Sequence, residues 1–154
     1  MFGCTDDNSG RIFINRLAYF YGIPLIDVGL RMVAASETHG NDLNGRVTTA
    51  LPGRPCLICS GVVNAARASE EDLERTRPDE FQKRKAEAYV IGGGDPAPAV
   101  VTFTTEMAAM AVNEMIAALT GFHGMEGMIP NRVRRWHARD DRFIAHAQRE
   151  GCPV

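Results

Sequence analysis

Three cysteines carry the strongest chemical signal in this sequence. Cys56 and Cys59 stand two residues apart in Arg54-Pro55-Cys56-Leu57-Ile58-Cys59-Ser60-Gly61, a knuckle that follows Pro52-Gly53. Two thiolates at that spacing on a tight turn reach one tetrahedral Zn²⁺. The third, Cys152, lies far along the chain in Gly151-Cys152-Pro153-Val154, one residue short of closing a second Cys-x-x-Cys. Cys56, Cys59 and Cys152 therefore read as three of four zinc ligands, with the fourth cut away. His146, six residues before Cys152, is an unusual substitute. Two other readings stay open: ordinary buried thiols, or a redox Cys-x-x-Cys. A redox pair usually sits at a helix N-terminus that lowers a thiol pKa, and Gly61-Val62-Val63 is a weak helix start.

A second cluster is Cys4-Thr5-Asp6-Asp7-Asn8-Ser9-Gly10-Arg11, with Asn15 four residues later. Acidic residues at the carboxyl end of a parallel strand, just before a helix, lie where α/β sheets bind ligands. A carboxylate there can hold Mg²⁺ or face a nucleotide. The same residues also make a good turn and N-cap. The other signals are negative. No Gly-x-Gly-x-x-Gly follows a strand, there is no Walker lysine loop, and no Ser/His/Asp set is legible. His39, His123, His137 and His146 are scattered. Trp136 among six arginines between Arg132 and Arg149 could stack a nucleic-acid base, but such alternation is more simply an arginine-rich β-surface.

The elements that must position these residues follow from periodicity and caps. Phe2-Gly3-Cys4 reads as the end of a core strand. A helix from about Ser9 to Tyr21 places Phe13, Ile14, Leu17, Phe20 and Tyr21 on one face, capped by Asn8 or Ser9 and stopped at Gly22. Ile23–Val28 reads as a strand, 31–45 as loop and Arg46–Leu51 as a strand. The segment 69–89 is charged and helical, with a capping box at Ser69 and Asp72 and a second start at Pro78. Gly92–Pro98 reads as linker, Thr105–Leu119 as a buried helix, and Asn131–Ala147 as two strands around Asp140-Asp141. The class is α/β.

Composition supports a single domain of ordinary type. The 154 residues are 45% hydrophobic and 23% charged, with a net charge of −2, so no global basic field marks a nucleic-acid binder. No apolar run approaches the ~20 residues that span a bilayer, and the first residues lack a signal-peptide pattern. A cytoplasmic protein is expected, with no nucleic acid or membrane partner.

In order and spacing these pieces resemble the ThiF/MoeB superfamily, the ubiquitin-activating-enzyme-like adenylyltransferases. Cys4-Thr5-Asp6, Arg11 and Asn15 resemble the family's Thr-Asp-Asn-x-x-x-Arg-x-x-x-Asn stretch, with Asp7 in the usual Asn place. Tyr21–Gly29 resembles its helix-to-strand passage. Pro52-Gly53-x-Pro55-Cys56-Leu57-x-Cys59 resembles the first half of its zinc site. Pro96–Val101, Ala108, Ala111 and Leu119-Thr120-Gly121 are similar to its last long core helix, and Cys152 falls where the second zinc pair belongs.

The resemblance implies a Rossmann-like mixed sheet: the C-terminal half of a ThiF-type adenylation domain over 1–154, with 69–89 as a charged helical insert. It implies Mg-ATP as substrate and adenylation of the C-terminal glycine of a ubiquitin-like or sulfur-carrier protein. Asp6 matches the family aspartate near Mg²⁺ and the phosphates and is the catalytic candidate. Arg11, which braces that loop, and Asn15, in a structural position, complete the nucleotide- and Mg-binding stretch. Cys56, Cys59 and Cys152 would hold structural zinc. The family's glycine-rich nucleotide loop and phosphate-gripping basic residues have no counterpart here, so this polypeptide alone is expected to be inactive, with a homodimer expected of the complete protein. No cysteine lies between Ser60 and Gly151, so thioester transfer is not expected. The alternative is a catalytically dead remnant that binds a ubiquitin-like protein through its sheet edge and the 69–89 insert. An exposed sheet edge and face, and hence association, are expected in either case.

Overall fold

The computed structural model describes residues 1–33, 42–86, 101–124, 128–152 and 154. Its elements are β1 (Phe2–Gly3), α1 (Asn8–Tyr21), β2 (Leu25–Val33), β3 (Asp42–Ala50), α2 (Ala65–Thr76), α3 (Pro78–Ala86), α4 (Val101–Thr120), β4 (Asn131–Arg135) and β5 (Asp140–Phe143). One five-stranded sheet runs in the order β1-β2-β3-β4-β5. Only β1 and β2 are parallel, and α1 supplies the crossover that a parallel pair requires. The remaining pairs are antiparallel, so the α/β class holds while most of the sheet is a meander.

Two cores cover the two faces. On one, Met107, Met110 and Ala111 of α4 pack on Ile26 and Val47, with Met128 closing the cluster. On the other, Ala18 of α1 packs on Leu25, Ala50, Leu57 and Val63. The alternation along a strand assigns the side chains. Ile26 and Val28 face α4, whereas Leu25, Asp27 and Gly29 face the opposite side.

Helix α1 departs from the sequence expectation. Most of the apolar stripe is not its buried face: Phe13, Phe20 and Tyr21 are 66%, 82% and 64% exposed, while Ile14 packs against the core. The inward side instead carries Asn15 and Ala18, both fully buried, with Arg11 and Tyr19 beside them. Polar contacts to the sheet and knuckle fix the rotation of the helix. Asp7, not Asn8 or Ser9, is the N-cap, and its side chain accepts from Gly10 N–H. Gly22 ends the helix in the left-handed region, at φ 65°, where a side chain is strained.

Other boundaries also move. β2 extends to Val33 and β3 begins at Asp42, so much of the expected loop is strand, and 34–41 lie outside the described residues. The insert begins at Ala65, because Asn64 caps it by accepting from Arg67 N–H. Ser69 lies inside the helix and donates to Ala65 O. Pro78 opens α3 as expected. Residues 87–89 of the insert and the Gly92–Pro98 linker lie outside the described residues. The terminal hairpin turns at Trp136–Arg139, with Arg139 at φ 56°, and not at Asp140-Asp141. Arg135 grips Asp140 across that turn, and Arg132 and Arg134 pair with Asp141. The carboxylates are therefore strand residues that neutralise the arginines. Trp136 is turned inward, donating from Nε1 to Glu106 of α4 at 2.8 Å. Among the described residues, no helix is long and apolar enough to cross a membrane.

Candidate functional site

The three cysteines converge. Cys56 Sγ lies 3.7 Å from Cys59 Sγ and 3.5 Å from Cys152 Sγ, and all three sulfurs fall within 4.8 Å of one another. Cys56 and Cys59 are buried, and Cys152 is partly so. In a tetrahedral site with metal–sulfur bonds of about 2.3 Å, sulfurs stand about 3.8 Å apart. A disulfide needs about 2.05 Å. The observed spacings fit sulfurs around a shared ion, and all the cysteines are free thiols.

Local folding explains the convergence. Pro52-Gly53 ends β3, and the chain turns tightly through the knuckle. Ser60 N–H donates to Cys56 O, and Gly61 N–H to Ile58 O. Asn15 of α1 pins the turn from beneath, its Oδ1 accepting from Leu57 N–H at 3.1 Å. The next helix begins only at Ala65, so no helix N-terminus activates the pair as in a redox motif. From the far end of the chain, Arg149 N–H donates to Cys59 Sγ at 3.3 Å.

Electrostatics rank the thiols. Burial opposes ionisation of Cys59, but the Arg149 amide and neighbouring donors outweigh it and hold the thiol below its ordinary range. Burial and the shared sulfurs push Cys152 up to about 11. Tyr19, beside the cluster, is pushed up to about 12 by burial and then by thiolate charge. An ion placed among these sulfurs would replace the thiol protons. His146 does not join the cluster. Its Nε2 lies 2.9 Å from Asn131 Nδ2. Among the described residues no other His, Cys, Asp or Glu completes a metal group.

The second cluster is placed differently. Asp6 lies exposed in the turn between β1 and α1, beyond the carboxyl end of the parallel strand, as its sequence context anticipates. Arg11 reaches back to the sheet, its Nε 3.3 Å from Asp27 Oδ1. Asn15 is fully buried and faces the knuckle, not the Asp6 turn. Cys4 lies beyond β1 and is exposed, not packed in the core. The free N–H groups of α1's first turn are taken by α2. Glu71 accepts from Asn8 N–H at 2.6 Å, Ser9 N–H at 2.9 Å and Asn8 Nδ2 at 2.9 Å.

Asp27 is the residue that sequence reading missed. It is fully buried on β2 and pairs with Arg46 Nη1 at 2.6 Å as well as Arg11. Burial lowers the proton affinity of Arg46, while Asp27 opposes that. The Arg46 guanidinium lies over Gly29, where an added Cβ would come within 2.8 Å of Nη2. The sequence signal was an aspartate inside an otherwise apolar strand, since a buried carboxylate requires a partner.

No protein-family model matches the chain, and no curated protein matches it.

Proposed function

We propose that this chain is the C-terminal half of a ThiF-type adenylation domain, which activates the C-terminal glycine of a ubiquitin-like or sulfur-carrier protein. The observation that carries this reading is the meeting of Cys56, Cys59 and Cys152 across 96 residues of sequence. They are the zinc ligands that the resemblance implies. The placement of Asp6 after a parallel strand supports it further.

In the reaction proposed, a carboxylate oxygen attacks the α-phosphorus of ATP, a P–O bond forms, and pyrophosphate leaves with the electrons of the broken bond. Two anions must be brought together, so positioning and counter-charge supply most of the acceleration. Asp6 would hold Mg²⁺, which supplies positive charge against the phosphates. Arg11, braced by Asp27, would fix the position of the turn that carries Asp6. Zinc on the three cysteines would join the knuckle to the chain's last segment and take no part in the chemistry.

One observation favours a second reading, a remnant that binds a ubiquitin-like protein without ATP. The first-turn N–H groups of α1 are already held, those of Asn8 and Ser9 by Glu71 and that of Gly10 by Asp7, so they are not open to a phosphate. ATP–pyrophosphate exchange separates the two. The complete reading frame of the gene is assayed with a carrier protein ending in glycine. The adenylation reading expects carrier-dependent exchange that Asp6→Asn abolishes. Carrier binding without exchange would move the assignment to the remnant.

A further inference from the structure

The hydrogen bonds on the polar face of the sheet run in one direction. Arg46 can only donate, and its Nη1 donates to Thr48 Oγ1 at 3.3 Å. Thr48 has one hydroxyl proton, which goes to Asn131 Oδ1 at 3.2 Å. With the amide in this orientation, Nδ2 is the donor facing His146 Nε2 at 2.9 Å. Nε2 therefore carries no proton, and the ring proton is on Nδ1. We infer that His146, held as the Nδ1–H tautomer, forms with Arg54 and Ser60 a receptor for a small carboxylate.

The receptor is a cavity of about 200 Å³ bordered by the knuckle, the end of β3 and the approach to β4. Leu51, Pro55 and Pro130 give it apolar walls. Four carbonyls at its border are already used. Leu51 O accepts from Arg54 N–H, and Pro130 O from Thr49 N–H. Ile129 O accepts from Thr49 Oγ1, and Arg54 O from the Tyr19 hydroxyl. Among the described residues, no Asp or Glu lines the cavity. The side-chain groups left on its lining are donors: the Arg54 guanidinium, which forms no ion pair among the described residues, the Ser60 hydroxyl and the ring of His146. A donor set with one cation and no carboxylate selects an anion, and a planar carboxylate matches the guanidinium fork. The volume is below the 300 Å³ or so of drug-sized sites, so the acid is short-chained or is a free chain terminus.

Nuclear magnetic resonance on the labelled chain tests both steps. Long-range proton–nitrogen correlation should show His146 protonated at Nδ1 alone. A ring protonated at Nε2 would overturn the inference. Isobutyrate should shift His146 and Ser60 saturably, with a dissociation constant on the order of 1 mM for a ligand of this size. Arg54→Ala, an exposed change that spares the fold, should weaken binding about tenfold. An N-acetylated tripeptide with a free carboxyl end is titrated beside it. Tighter binding of the peptide assigns a chain terminus and tighter binding of isobutyrate a free acid, and both support the receptor. No saturable shift from either acid, or equal binding of isobutyramide, would overturn it. None of these outcomes depends on the adenylation reading.

Discussion

Replacing Cys152 with serine tests most directly whether the three sulfurs hold a metal. Cys56 and Cys152 are 96 residues apart, so an ion held by both closes most of the chain into a loop. For a loop of about 100 residues, a cross-link removes about 4.7 kcal/mol of unfolded-chain entropy. A domain of this size shifts by about 2–4 °C per kcal/mol. Loss of the cross-link should therefore lower the melting temperature by about 9–19 °C in the presence of zinc. Chelation of the wild-type chain should reproduce the drop, and chelation of Cys152→Ser should add nothing. Cys4→Ser, at an exposed thiol outside the cluster, should melt as wild type does. Scanning calorimetry with and without chelator, alongside metal analysis, gives all four numbers. A wild-type chain that retains no metal, and whose melting is indifferent to both zinc and chelator, would refute the argument. The sulfur spacings would then be a packing accident.

Two further outcomes follow from the polar face and the hairpin. Gly29→Ala should cost about 1–3 kcal/mol, because the new methyl meets the Arg46 guanidinium and pulls it from Asp27. A double-mutant cycle with Arg46→Met should show coupling above about 0.5 kcal/mol, and strict additivity would show that the clash lies elsewhere. Asp140 titrates below the ordinary 3.8 because Arg135 donates to it. Its folded value is depressed, so its contribution is complete above that ordinary value and is lost only as pH falls through the folded one. Carboxyl carbon titration should show this, and Arg135→Met should move the midpoint upward. An unmoved midpoint would exclude the pair as the cause.

The parts of the fold that were legible in the sequence are those fixed by local chemistry. The left-handed stop at Gly22 and the start of α3 at Pro78 are written in single residue types. The Cys-x-x-Cys spacing marked the knuckle, and Cys152 was paired with it across the chain by chemistry alone. The extent of β2 and β3 was not legible. Leu30 to Val33 and Asp42 to Gly45 mix polar and apolar residues, and they are strand because each pairs with the other. The cap of α2 was misplaced because Asn64 and Ser69 both suit a helix start, and only the fold chooses between them. The orientation of α1 was hidden for a deeper reason. Periodicity finds the apolar stripe, and here tertiary polar contacts decide which stripe faces inward.

That reversal gives α1 its role. Arg11, Asn15 and Tyr19 are spaced i, i+4 and i+8, so they line one side of the helix. Each takes hold of a different element: Arg11 the buried Asp27 of β2, Asn15 the Leu57 amide inside the knuckle, and Tyr19 the Arg54 carbonyl at its entrance. At its N-terminus the same helix carries the turn that holds Asp6. A rigid helix of 14 residues thus joins the candidate nucleotide turn to the candidate metal centre. Its grips are directional hydrogen bonds, where an apolar stripe would allow rotation and sliding. The side left outward carries the exposed rings of Phe13 and Phe20. A helix that turns Arg11, Asn15 and the Tyr19 hydroxyl inward and Phe13 and Phe20 outward is positioned by its own sheet and knuckle.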